Sequence, residues 1–350
     1  MALPELTDRE RKVLEAVIQR YVETAEPAGS RTISRRFGLG VSPATIRNTM
    51  SDLEEKGYLY HPHTSAGRVP TDIAYRVYVD TLMGATRPPQ AAVDRLAEEL
   101  VASGNGASAI EIILRRAAQS LSVVSQELGV ALGPRMDHAR LQRLDLIRMS
   151  NERILLVLTL EGGAVRTIFV EVAGQMAESA LAEVTLVLNE RLGGLTLREV
   201  RQSLGDRLRD SATSPGAHEL LNIFVQEGET LFDLPVAAED SGVVLGQASV
   251  LAEQPEFTTG DGMRKLLELT ERKRHLAEML RTRSASPGLS ITIGNEHGDP
   301  RLDSFTIVTA EYTVGALSGV IGVIGPTRMP YDKVIALVRH TSVLVSDILQ

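Results

Sequence analysis

Residues 42–59 read SPATIRNTMSDLEEKGYL, and local rules make this stretch a helix. Ser42 is a good N-cap, and Pro43 suits the first helical position, where a missing N–H costs nothing. Ile46, Met50 and Leu53 recur at spacings of four and three, which makes one buried stripe. Gly57 supplies the left-handed residue that ends the helix. The other face carries Thr45, Arg47, Asn48 and Ser51, short hydrogen-bonding side chains plus one guanidinium, where a solvated helix usually shows Glu and Lys. Taken alone, such a face fits an inert polar surface as well as one that lies against a nucleic acid.

The surroundings separate these readings. A capping box, Thr7-Asp8-Arg9-Glu10, begins a first helix with apolar Val13, Leu14, Val17, Ile18, Tyr21 and Val22. Ser30 caps a short second helix carrying Ile33 and Phe37, and GLG at 38–40 turns the chain into the quoted helix. YLYHP and GRVPT then form two extended pieces around a polar tip, HTSAG, and a helix from about Asp72 to Leu82 completes the unit. Three helices followed by a hairpin is the winged helix-turn-helix order.

Charge supports the same reading locally. The chain carries a net charge of −8, yet residues 1–80 balance eleven basic against eleven acidic side chains, so the excess acid lies downstream. No acid occurs from Pro27 to Ser51, a stretch that holds Arg31, Arg35, Arg36 and Arg47; Lys56 to Thr71 is also acid-free and holds Arg68. On chemistry, Arg47 can pair bidentately with guanine and Asn48 with adenine, while Thr45 or Ala44 can meet a thymine methyl. Ser30, Arg31 and Thr32 at the start of the second helix suit phosphate. The full expectation is that Arg47, Asn48 and Thr45 read bases, and that Ser30, Arg31, Arg35, Ser42 and Arg68 hold phosphates. Arg36 is left out of that set.

Length and composition bound the rest. At 350 residues, 43% hydrophobic and 23% charged, this is an ordinary globular chain of two or three domains. No apolar run is long enough to span a bilayer and no signal-peptide core precedes the first helix, so no membrane is expected and the cytosol is the natural compartment. The absence of cysteine removes disulfides, thiol catalysis and thiolate metal sites. MGATRPPQ at 83–90 reads as a linker, followed by helices at 91–103 and 107–128. LQRLDLIRM, RILLVLTL and AVRTIFVEV, spaced by SNE and EGG, form a meander, and a helix covers 176–192. Residues 195–262 mix helix, loop and one strand, GVVLGQASVL. One long helix spans 262–281; the strands LSITIG, SFTIVTAEY and SGVIGVIG and a final helix complete the chain. Strands on both sides of a different middle suggest one α+β domain with an insertion.

Other motifs carry less. His61 and His63 flank a proline but have no further ligands at zinc spacing, so wing residues near phosphate are the better account. Gly319, Gly322 and Gly325 in GVIGVIGPTRM fit neither nucleotide-binding glycine pattern, and a packed strand explains them better. No catalytic group stands above background, so no enzyme activity is expected. Two rivals stay open: a small-molecule-binding regulator or enzyme with a polar site between the strands and the 262–281 helix, and, with only 4% aromatic residues, a weaker RNA-binding module.

GSRTISRRF, VSPATIRNTMSDLEEKGYL and HPHTSAGRVPTDIAYRVYVDTL together resemble the N-terminal signature of the bacterial heat-inducible transcription repressor family HrcA. ITIGNEH, TIVTAEY and GVIGVIGPTRMPYDKVIALV resemble that family's C-terminal pattern. Thr49 and Pro330 stand where an acid is common, and the first bears on groove contacts. The resemblance implies a winged-helix DNA-binding domain (1–84), a linker and connecting helix (85–106), and a GAF-like α+β domain in two parts (107–194 and 263–350) interrupted by an inserted dimerisation domain (195–262). It also implies a homodimer that represses chaperone operons at the inverted-repeat CIRCE operator on double-stranded DNA, assisted by the chaperonin. It brings no required cofactor.

Overall fold

The computed structural model describes residues 5–349 apart from 64–65, 85–86, 102–108, 135–137, 162–164, 173, 175, 210, 212–213, 233–241, 285–287 and 316. Helix α1 (Asp8–Thr24) opens on the expected capping box: Glu10 N–H donates to Thr7 Oγ1 (3.3 Å) and Thr7 N–H donates to Glu10 Oε2 (2.8 Å). Glu10 is buried, and Lys56 Nζ lies 2.7 Å from its Oε1. One carboxylate thus caps α1 and ties it to the end of α3 (Pro43–Glu55). Helix α2 (Ser30–Phe37) lies between them. At the end of α3, Tyr58 N–H donates to Leu53 O and Gly57 N–H to Glu54 O, with Gly57 at φ 81°, the Schellman ending expected of that glycine. Strands β1 (Leu59–Tyr60) and β2 (Val69–Pro70) form the antiparallel hairpin, and α4 (Asp72–Val77) continues into a π-helical turn, Tyr78–Leu82.

The C-terminal α+β domain is built on five antiparallel strands in the order β7-β3-β10-β9-β8, with β3 at Leu128–Leu132, β7 at Val243–Leu245, β8 at Leu289–Ile293, β9 at Phe305–Val314 and β10 at Leu317–Pro326. Helices α5 (Gln90–Val101), α6 (Ala109–Ser125) and α13 (Tyr331–Leu349) cover one face. The opposite face takes α10 (Ser249–Ala252), α11 (Gly260–Glu271) and α12 (Lys273–Ser284), through Leu251, Leu266, Leu276 and Leu280 and a stacked Phe257–Phe305 pair 5.4 Å apart. Apolar side chains therefore fill the interface between these helices and the sheet. The expected single helix over 262–281 is two helices, broken at Arg272 (ψ 52°), where no glycine or proline announces a break.

The glycines of β10 are steric necessities of a central strand. A Cβ at Gly322 would lie 2.0 Å from Val308 O, and one at Gly319 would meet the Tyr312 hydroxyl at 2.4 Å, where that ring crosses to donate to Leu132 O. A Cβ at Gly325 would meet the buried Glu127 carboxylate at 2.1 Å.

The insertion lies elsewhere than the expected 195–262. Strands β4 (Leu141–Arg148), β5 (Arg153–Leu160) and β6 (Val165–Glu171) make a separate three-stranded sheet packed on α7 (Glu178–Leu192), which in turn packs against α8 (Leu197–Leu208) and α9 (Pro215–Leu231). The meander thus departs from the first part of the α+β domain, and 243–262 rejoins it. The chain leaves at the end of β3 and returns at β7, where Gly133 N–H donates to Gly242 O (3.1 Å). That antiparallel closure lets the inserted unit grow from one hairpin end without disturbing the sheet.

Replacing residues 135–240 by a short turn leaves a folded chain whose β3, β9 and β10 amides keep their hydrogen-exchange protection. Burial would raise the Glu10 pKa, but hydrogen bonds from Lys56 and Thr7 outweigh it and hold the carboxyl below its usual 4.5. The resulting stability is present above that pH and is lost as pH falls below it. Lys56→Ala, which strips a partner from a buried carboxylate, should cost about 1–3 kcal/mol at neutral pH. Exchange of the α1 and α3 amides, corrected for intrinsic rates, measures both effects.

Candidate nucleic-acid interface

Helix α3 buries Ile46, Thr49, Met50 and Leu53 against its neighbours, which turns Ala44, Arg47 and Asn48 to solvent. Ser42 caps it as expected: its Oγ accepts from Thr45 N–H at 3.1 Å and lies 2.9 Å from Thr45 Oγ1. Thr45 is half-buried beside that cap. Thr49 is a correction. It is buried and donates to Thr45 O (3.1 Å), so it belongs to the packed stripe and bears on no groove contact.

On α2, Arg31 and Arg35 sit one turn apart and are exposed. Among the described residues, Arg31, Arg35 and Arg47 have no carboxylate partner. Other arginines of the same domain do have one: Arg20 pairs with Glu26, Arg76 with Glu296, and Arg36 with Glu23 while lying over the Phe37 ring. An exposed guanidinium left unpaired is ready to meet phosphate or a base edge without first breaking an ion pair.

Ser30 departs from expectation. Ala28 is pinned by a backbone bridge to Arg68, so Gly29 takes the extended cap position and Ser30 becomes the first helical residue, 8% exposed. Its side chain faces inward rather than toward a phosphate. Backbone N–H groups at the start of α2 are what this end can offer an anion.

Arg68 departs further. Its guanidinium is only 12% exposed and pairs with Glu54 Oε2 on α3 at 2.8 Å. The other oxygen of Glu54 lies 2.7 Å from His61 Nδ1. One α3 carboxylate thus buckles both strands of the wing to the helix, and His61 and Arg68 serve the wing's base. Gly67, the last residue of the HTSAG tip, is a point of close approach: a Cβ there would lie 2.5 Å from the Ala28 carbonyl. His63 is exposed at the tip.

The site that remains is a strip. Its centre is Arg47 and Asn48 with Thr45 behind them, flanked by Arg31 and Arg35 and by the Ser42 turn. Sequence reasoning overlooked Glu54, whose partners lie seven and fourteen residues away across a turn, a spacing that helix periodicity does not encode.

Comparison with known proteins fits this construction. Residues 3–67 match the LexA DNA binding domain, and residues 111–335 match the family described as HrcA protein C terminal domain. The heat-inducible transcription repressor HrcA of Chlorobium chlorochromatii is 38% identical over 338 residues, covering 96% of this chain and 95% of that one. The repressor of the same name from Geobacter sulfurreducens is 36% identical over 352 residues, covering 99% of each. A crystal structure of a hypothetical protein superposes with a TM-score of 0.62 at 22% identity, covering 99% of both chains, and so shares the fold over its length. A winged-helix domain joined to an α+β domain, with relatives matched end to end, places the chain in the HrcA family of heat-inducible transcription repressors.

Proposed function

We propose that this chain is a cytoplasmic repressor of chaperone operons that binds the inverted-repeat CIRCE operator on double-stranded DNA as a homodimer. The observation that carries the reading is the strip of unpaired, exposed Arg31, Arg35 and Arg47 beside Asn48, on helices whose opposite sides are locked into a core. In this reading Arg47 and Asn48 enter the major groove with Thr45 near a thymine methyl, while Arg31, Arg35 and Ser42 take the backbone. Ser30 contributes through its helix end, and Arg68 holds the wing in place. Feedback by the chaperonin rests on the family resemblance alone.

An inverted repeat asks for two-fold symmetry, hence a second copy of the chain. The outer face of the three-stranded sheet suits it. Pairing registers align Ile147, Leu155 and Phe169 in one row, and Ile147 and Phe169 are 48% and 62% exposed. Such an apolar row on a sheet is a feature that association normally covers. This face lies in 141–171, outside the span expected for dimerisation. Among the described residues no helix is long and apolar enough to cross a membrane.

Anisotropy titrations on an inverted-repeat duplex and a scrambled one, across salt, test the reading. Arg47→Ala should lose about 1–3 kcal/mol, mainly on the specific duplex. Arg31→Ala or Arg35→Ala should weaken both duplexes, flattening the salt slope by about one unit each. Arg68→Ala should lower thermal stability and leave the salt slope unchanged. Equal, weak binding of both duplexes, indifferent to Arg47, would return α3 to an inert surface. For the dimer, Phe169→Glu should shift sedimentation toward monomer and weaken binding to the inverted repeat far more than to a single half-site.

A further inference from the structure

Helix α3 changes sign along its length. No acid stands between Pro27 and Ser51, whereas Asp52, Glu54 and Glu55 crowd the last turn of α3, which holds no basic residue. Packing selects among these acids as it selects among the arginines. Glu54 is taken up by Arg68 and His61 of the wing, and Lys56, the nearest cation in sequence, is bound to Glu10. Asp52 and Glu55 are exposed, and among the described residues neither side chain has a basic partner or a hydrogen bond. They do not serve the helix that carries them either. Carboxylates at the C-terminal end of a helix oppose its macrodipole, whose negative pole lies there.

Their placement matters for a duplex instead. Asn48, Asp52 and Glu55 recur at spacings of four and three, so they share one exposed edge of α3. At about 1.5 Å of rise per residue, Asp52 lies about 6 Å and Glu55 about 10 Å beyond Asn48 along the axis. The major groove is about 12 Å wide, and phosphates line its rims. A helix laid lengthwise in that groove would bring both carboxylates against phosphate with no cation between them. A helix entering by its N-terminal turns puts Ala44, Arg47 and Asn48 on the bases and leaves the acidic turn outside. The angle of entry belongs to the whole molecule. Buried Tyr75 and Tyr78 of the winged-helix head share one apolar cluster with Tyr331 and Val334 of the α+β domain, so head and body dock as one unit.

We propose that Asp52 and Glu55 are specificity-determining residues that act by repulsion. They forbid lengthwise docking of α3, which leaves the tip-first approach that sets Arg47 and Asn48 on base edges. A lengthwise helix could hold any duplex by its phosphates through Arg31, Arg35 and Arg47. The two acids remove that sequence-blind mode, so they lower affinity for wrong DNA more than for the operator. Neither acid touches a base. This role rests on the repressor reading above and deepens it, from the groups that attract the operator to those that reject other DNA.

Anisotropy titrations of the full-length protein across salt, on the inverted repeat and on a scrambled duplex, compare wild type with Asp52→Asn, Glu55→Gln and the double variant. The double variant should bind the scrambled duplex several-fold more tightly, with a salt slope steeper by about one unit. It should gain less on the operator, so its preference for the operator falls, and each single variant should move part of the way. Both substitutions relieve an unfavourable charge at a helix end, so the variants should melt no lower than wild type. Glu219→Gln removes an exposed acid on α9 of the insertion and should change neither affinity. Unaltered binding of the scrambled duplex by the double variant would overturn the role, as would equal gains on both duplexes or the same gain from Glu219→Gln. A loss of operator affinity in Asp52→Asn that traces to one base pair would also overturn it, by making Asp52 a reader of cytosine. Failure of wild type to prefer the operator would instead overturn the repressor reading, and the scrambled duplex would still report whether the acids hold DNA off.

Discussion

The packing of α3 against α1 decides which residues the molecule can show to DNA. Ile46, Thr49, Met50 and Leu53 occupy one side, and Glu10 pins Lys56 at the helix end, so α3 cannot roll. A shift of one residue turns a helix by about 100° and would carry Arg47 into the core. The exposed face is thus set by what the buried face needs. Arg31 and Arg35 gain their direction the same way, because Ile33 on α2 is fully buried.

Arginine placement illustrates how far charge alone misleads. Arg68 sits in an acid-free stretch of sequence and looks like a phosphate ligand, but an acid fourteen residues upstream folds back onto it. Arg36 is as close in sequence to Arg35 as a residue can be, yet it pairs with Glu23 on the preceding helix. Among the described residues, Arg31, Arg35 and Arg47 have no carboxylate partner once the helices have packed. A local excess of basic residues therefore marks the region, and the packed helices select the members that stay available.

The elements that sequence reading recovered are those governed by short-range rules. The capping box at Thr7, the Ser42-Pro43 start, the Gly57 ending and the meander of β4–β6 each follow from residues within a few positions of one another. What escaped depends on long-range partners. Alternating strands declare themselves, but nothing in RILLVLTL says which sheet it joins; the sequence pattern puts the insertion after the meander, whereas the chain leaves the five-stranded sheet before it. The end of β3 carries that information only through Gly133 and Gly242, more than a hundred residues apart. Ser30 is the first residue of α2 and not its cap, because the bridge from Ala28 to Arg68 puts Gly29 in the extended cap position. The break at Arg272 has no local signal at all.

The acid excess downstream of residue 80 gives the body a role in recognition even where it touches nothing. A polyanionic duplex is attracted to the basic strip of a neutral head and repelled by an acidic α+β domain and insertion. In the proposed reading, that asymmetry orients encounter so that α3 arrives first. It also gives the joint between head and body an electrostatic meaning. Glu296 and Asp72 lie on opposite sides of that seam, each satisfied by a partner across it. While the seam is closed, Arg76 of the head offsets the charge of Glu296, whereas Asp72 meets only the neutral amide groups of Asn295.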